Sequence, residues 1–260
     1  MKFVERNGVP YYQFEALAQF QGIDHGIFTR NSGCSNSPFA SLNVSYGIGD
    51  DENAVARNRQ LISSTMGAGT MIYLEQVHGC KIAILDRRQK AGGKPFETKP
   101  LIADAVVTDL SDNYLVIQVA DCQSVLMYEP IRRVVANVHS GWRGSIGNII
   151  GRTVDAMIRH FGCRPERIQA AIGPSLGPCC AEFVNYQTEI PEKFWRYRDS
   201  NNHFDFWAVS SDQLIAAGVA KENLESSQMC TRCRTDVFFS YRAEKTTGRF
   251  AAIIGMTNVD

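Results

Sequence analysis

Apolar positions follow two rhythms along this chain. Short, nearly unbroken apolar runs read as strands. They fall at 23–30, 71–78, 81–85, 104–108, 114–120, 123–128, 134–139, 168–172, 224–229, 236–241 and 250–254. A helical spacing replaces them where Ile146, Ile149, Ile150, Val154, Met157, Ile158 and Phe161 recur. That helix starts near Ser145 and stops at Gly162. Asp51 caps another helix through Ala54, Val55, Leu61, Ile62 and Met66, and Gly67 ends it. Further helices are predicted over 182–189 and 208–217. Residues 31–41, rich in Asn, Ser and Gly, and residues 90–100 read as loops. Strands and helices mix without strict alternation, and several strand pairs look like hairpins. The pattern predicts an α+β fold: a single layered domain over residues 1–260, with mixed β-sheets flanked by helices.

Composition narrows the picture. The 260 residues are 44% hydrophobic, enough for one large core. Lys plus Arg number 27 and so do Asp plus Glu, with no basic block. That argues against a partner bound mainly by charge, nucleic acid included. The first residues lack the apolar core of a secretion signal, and no run approaches the roughly 18 apolar residues of a membrane span. A cytoplasmic protein with no membrane partner is expected, its eight cysteines reduced rather than paired as disulfides.

Chemistry gathers at strand ends. His78, Cys122 and His139 each close an apolar run, where a rigid sheet can aim side chains at one point. Two imidazoles and a thiolate suit zinc or copper and leave a fourth tetrahedral position open. A turn centred between Pro130 and Ile131 would set Cys122 directly opposite His139. The alternative is three unrelated polar strand ends. Asp121 precedes Cys122 and is either a general acid or base beside the metal or a turn acceptor. Glu75 falls on the face opposite His78 if that strand is regular. Arg143 follows His139 in a glycine-flanked turn, where helix-start N–H groups could hold an anion. Cys230 and Cys233 form a C-x-x-C pair, and Cys179-Cys180 is a second pair. Adjacent cysteines chelate one ion poorly because their side chains diverge, so buried reduced thiols are favoured over a four-cysteine zinc site. His25, His160 and His203 have no comparable partners.

Taken in order, these segments resemble one family from about Phe28 to Gly255. It is known as the multicopper polyphenol oxidoreductase (laccase-like) family, as peptidoglycan editing factor, and as laccase-domain purine nucleoside phosphorylase. The matching stretches include Phe28-Thr-Arg30, Ser41-Leu-Asn43, Asn58-Arg59, Gln76-Val-His-Gly79 and Ala103-Asp-Ala105. They continue with Ala120-Asp-Cys122, His139-Ser-Gly-Trp-Arg-Gly144, Cys179-Cys180, Phe238-Phe-Ser-Tyr-Arg242 and Thr247-Gly-Arg249. The resemblance implies a catalytic metal, usually zinc, on His78, Cys122 and His139. It also implies a layered fold distantly like that of cysteine-dependent deamidase toxins. Departures at Asn31-Ser-Gly33, Cys180-Ala-Glu-Phe183 and Tyr241-Arg-Ala-Glu244 touch substrate loops, not the triad.

Three functions compete. The resemblance implies phosphorolysis of adenosine, inosine, guanosine and methylthioadenosine, plus adenosine deamination, with purine nucleoside and phosphate as partners. Asn43, Arg59 and Arg143 are then the expected substrate residues, with Arg30 a further phosphate candidate. A copper polyphenol oxidase is the second reading, but three leftover histidines are too few for a further copper cluster. The third is a hydrolase acting on peptidoglycan precursors, with Cys122 as nucleophile and His139 as base. It leaves His78 without a purpose.

Overall fold

The computed structural model describes residues 1–86 and 101–257. Its strands are β1 (Lys2–Arg6), β2 (Val9–Gln13), β3 (Ile23–Phe28), β4 (Thr70–Glu75), β5 (Ile82–Leu85), β6 (Leu101–Ile102) and β7 (Ala105–Thr108). They continue with β8 (Asn113–Val119), β9 (Gln123–Glu129), β10 (Val134–Ser140), β11 (Gln169–Ile172), β12 (Leu224–Ser226) and β13 (Phe250–Met256). One mixed sheet runs β1-β2-β3-β13-β8-β4-β6 and the other β12-β11-β9-β10-β7-β5. The fold is α+β, as the mixed rhythm predicts.

The unbroken apolar runs exist because each sheet is covered twice. Leu115 and Ile117 of β8 point between the sheets, onto Leu126 of β9 and Val135 of β10. Tyr114 and Val116 point the other way, onto Ile62 and Met66 at the end of the Glu52–Thr65 helix. In β9, Val125 and Met127 turn outward to the Ile149–Phe161 helix, beside Ile150, Val154 and Met157. The layers are therefore helix, sheet, sheet, helix. Asn137, buried in β10, donates to the carbonyls of Leu115 and Ala252, tying the two sheets at one height.

Several boundaries move from their predicted places. The β9–β10 hairpin pairs Val134 with Glu129 and His139 with Ser124, so its centre lies between Ile131 and Arg132. Arg133 takes a left-handed φ of 53° in the turn, which lengthens it. Cys122 thus lies one residue past the ladder rather than opposite His139. An even shift keeps both side chains on one face. The predicted long helix breaks in two, Trp142–Ile146 and Ile149–Phe161. Asn148, at φ 57°, starts the second and caps it by accepting from the Gly151 N–H. The helix start beside His139 is therefore that of the short Trp142–Ile146 helix, with Gly141 at its N-cap. The 182–189 segment forms helix only over Tyr186–Glu189.

Residues 236–241 are not a strand. Phe238 and Phe239 enter the core from a turn in which the Val237 and Phe238 N–H groups donate to the Arg234 carbonyl. The β1–β2 hairpin, unpredicted, turns through Asn7-Gly8 with φ of 56° and 75°. That dipeptide is itself a strong hairpin signal. The predicted loop at 90–100 lies outside the described residues.

Candidate metal centre

The three expected ligands converge. The donor atoms of His78, Cys122 and His139 lie within 4.8 Å of one another, and the two imidazole rings meet edge to face at 4.8 Å. His139 sits in β10 and is 2% exposed. His78 is not at a strand end: β4 stops at Glu75. Gln76 then extends the ladder with its side chain. Its carboxamide accepts from the Gln118 N–H at 2.8 Å and donates to the Gln118 carbonyl at 2.9 Å. The main chain is freed to turn, and His78 adopts a φ of 59° that carries it over the end of β10. Gly141 leaves the room. A Cβ there would stand 3.1 Å from Cys122 Sγ and 3.2 Å from His78 Cδ2.

Asp104 ties the two histidines together, and sequence reasoning missed it. Its carboxylate contacts His139 Nδ1 at 2.9 Å and accepts from the backbone N–H groups of His78 and Gly79 at 2.8 and 2.7 Å. Its carbonyl accepts the His139 N–H at 2.7 Å. With Nδ1 donating to a carboxylate, His139 presents the Nε2 lone pair, the usual arrangement behind a metal-binding imidazole. Burial works against ionisation of Asp104, but the bonds from His139, Gly79 and His78 hold it below the ordinary carboxyl range.

The electrostatics point the same way. Burial opposes ionisation of the Cys122 thiol, but His139 and His78 outweigh it and bring the thiol down to about 6. Burial opposes protonation of His139, while Cys122 and Asp104 hold it up at about 9. The centre favours positive charge among its donors, carried by a proton or by a metal ion. One carboxylate-braced imidazole, a second imidazole and an acidified thiol fit a metal ion of the zinc or copper type.

These donors open onto a cavity of about 870 Å³. Trp142, Phe183, Phe206 and Leu176 give it an apolar side, and Arg59, Arg242 and Arg249 line it with charge. Arg59 lies between the rings of Tyr73 and Tyr46, at 3.7 and 4.3 Å, and donates to the Val44 carbonyl. Arg249 is fixed through one nitrogen to the carbonyls of Thr247 and Gly248, both at 2.9 Å. Burial lowers its pKa, countered mainly by Cys122 and Asp121.

The other expected residues divide. Asp121, at φ 92°, lines the cavity, but its carboxylate is engaged. It accepts from Thr231 Oγ1, Ser240 Oγ and the Arg242 N–H at 2.6, 2.7 and 2.6 Å. Asn43 does not line the cavity. It is wholly buried, donates to Asp50 and the Ser45 carbonyl, and accepts the Ser45 and Arg249 N–H groups. Arg143 is exposed and stacked 4.2 Å from the Trp142 ring, outside the cavity lining. Arg30 is held by the Ala40 and Thr235 carbonyls and by Glu244. Of the remaining histidines, His25 accepts the Phe14 N–H, His203 faces Asp199, and His160 is exposed.

Residues 24–257 match the model of the multi-copper polyphenol oxidoreductase laccase family. The chain belongs to this family. Purine nucleoside phosphorylase YlmD of Geobacillus stearothermophilus is 32% identical over 249 residues, covering 91% of each chain. Adenosine deaminase RL5, from an unknown prokaryotic organism, is 30% identical over 237 residues, covering 85% of this chain and 89% of that one. The crystal structure of YlmD from Geobacillus stearothermophilus superposes with a TM-score of 0.85 at 30% identity, covering 98% of this chain and 99% of that one. For this laccase-family chain, the residues missed from sequence are Asp104, Arg242 and Arg249. All three stand in stretches that carried the resemblance, so their position was signalled although their role was not. Among the described residues, no helix is long and apolar enough to cross a membrane.

Proposed function

We propose that this protein is a zinc-dependent purine nucleoside enzyme. It phosphorolyses adenosine, inosine, guanosine and methylthioadenosine, and deaminates adenosine. The observation that carries the reading is one cavity joining the His78–Cys122–His139 centre to three arginines and an aromatic side. The activities for which YlmD and RL5 are named support it, since both relatives match along most of this chain.

When bound, the zinc ion supplies Lewis acidity that makes an oxygen nucleophile available near neutral pH. His78, Cys122 and His139 would hold it, and Asp104 keeps the His139 ring in one tautomer and orientation. Arg249 and Arg242 offset the charge of phosphate. Asp121 acts through Arg242 by accepting its backbone N–H, which makes it a positioning residue. Trp142, Phe183 and Phe206 offer faces to the purine and exclude water around it. In phosphorolysis an oxygen of phosphate bonds to C1′ of the ribose as the bond to N9 breaks. The proton that phosphate gives up ends on the purine. In deamination water replaces the amino group at C6 and ammonia leaves.

A multinuclear copper oxidase has less support. Apart from His78 and His139, none of the five histidines reaches the centre. Incubation of copper-free, zinc-loaded protein with adenosine and phosphate should give adenine and ribose 1-phosphate, with inosine as a second product. Phosphorolysis should scale with phosphate and deamination should not. If nucleosides are untouched while phenols are oxidised, the reading fails.

A further inference from the structure

We propose that Cys179, Cys180, Cys230 and Cys233 form a structural zinc site, separate from the triad. It departs from the sequence-based preference for buried reduced thiols. Their four sulfurs lie within 4.8 Å of one another. Cys233 Sγ stands 3.7 Å from Cys179 Sγ and 3.6 Å from Cys180 Sγ. Four sulfurs at the usual zinc–sulfur distance of about 2.3 Å, arranged as a tetrahedron, are about 3.8 Å apart. A disulfide needs about 2.0 Å, so these contacts are not half-made disulfides. A thiol–thiol hydrogen bond explains one pair; it does not explain four sulfurs drawn to one point.

The backbone explains why adjacent cysteines can share an ion here. On a strand, neighbours point to opposite faces. Cys179 and Cys180 lie instead in a tight turn, with the Cys180 and Ala181 N–H groups both donating to the Gly177 carbonyl. Successive side chains are then turned by much less than half a revolution, and both sulfurs can face Cys233. The other pair behaves as a metal knuckle. The Gly177 N–H donates to Cys230 Sγ at 3.3 Å, and the Cys233 backbone also hydrogen-bonds to that sulfur. Such donors stabilise a thiolate. Ser175 and Cys230 pair as a β-bridge, which sets the two segments side by side before any ion is considered.

The ion's role follows from what these segments carry. Leu176 and Ala181 line the cavity from one, Arg242 from the chain following the other, and Arg242 donates to the Glu182 carbonyl. A tetrathiolate zinc leaves no open position, so it would brace this wall and take no part in the reaction. The inference does not rest on the nucleoside reading.

The test uses the full-length chain, without a histidine tag, purified without added metal. Cys122→Ala, which disables the triad, should still hold about one tightly bound zinc per chain. Cys233→Ser added to it should remove that zinc. In Cys122→Ala, alkylation should spare the four cysteines until a strong chelator is added, while exposed Cys34 reacts at once. This second readout stands even if Cys233→Ser fails to fold. Cobalt loaded into Cys122→Ala should show intense thiolate-to-metal absorption. No zinc in Cys122→Ala, iron in its place, a disulfide within the group, or chelator-independent alkylation would each overturn the site.

Discussion

At one end of the cavity two of the three donors share a single buried carboxylate; at the other, three guanidiniums arrive from a helix early in the chain and from the stretch just ahead of β13. The donor end is over-determined. Asp104 fixes one ligand by its ring and another by its backbone, so removing it disturbs two ligands together. The arginine end has no common brace. Arg59 is held by two tyrosine rings and a carbonyl, Arg249 by two carbonyls beside it, and Arg242 by Asp121 and Glu182. A site built this way can keep its chemistry while its substrate preference changes, because the second end can be altered one residue at a time.

The largest effect should come from the donors themselves. Cys122→Ala or His78→Ala should drop nucleoside turnover to background and empty the centre of zinc, with the fold kept by circular dichroism. Full activity in a metal-free preparation would dissolve the distinction between the two ends and favour Cys122 as a nucleophile. Next in size is Asp104→Asn, expected to cost about 10–100-fold in zinc affinity or kcat/KM. Zinc titration of that variant giving wild-type affinity would show that the shared carboxylate is not a brace.

At the arginine end the effects should be smaller and selective. Arg249→Lys should raise KM for phosphate about tenfold, since a point charge replaces a planar two-pronged donor. Deamination rates of the same variant should stay near wild type; an equal fall in both activities would place Arg249 with the donors. Smallest of all is Arg143→Ala. Stacked outside the cavity, Arg143 should change either activity by less than about twofold, within the range of surface substitutions.

The same contrast decides what was legible beforehand. Each ligand of the triad ends, or nearly ends, an apolar run, so the strand pattern brings them to one edge. The two-residue error in the β9–β10 turn did no harm because it preserved the face. The arginine end follows no such periodicity. Arg59 sits on a helix, Arg242 in a one-turn helix after a mispredicted strand, and Arg249 ahead of β13. Their meeting depends on tertiary packing. Arg143, beside His139 in sequence, was misplaced because the turn at Gly141 reverses what adjacency suggests. The cysteine cluster was missed because a rule for extended backbone was applied to a turn.

Gly141 has a consequence of its own. It offers the centre no charge, no donor atom and no left-handed backbone; at φ −75° any residue could follow the same path. What it contributes is vacancy. One methyl group there would push on Cys122 and His78 together, moving each by a few tenths of an ångström while every ligand remains in the chain. Substitutions ranked by chemical character would pass Gly to Ala as mild. Ranked by the space between two ligands, it belongs with the ligands themselves.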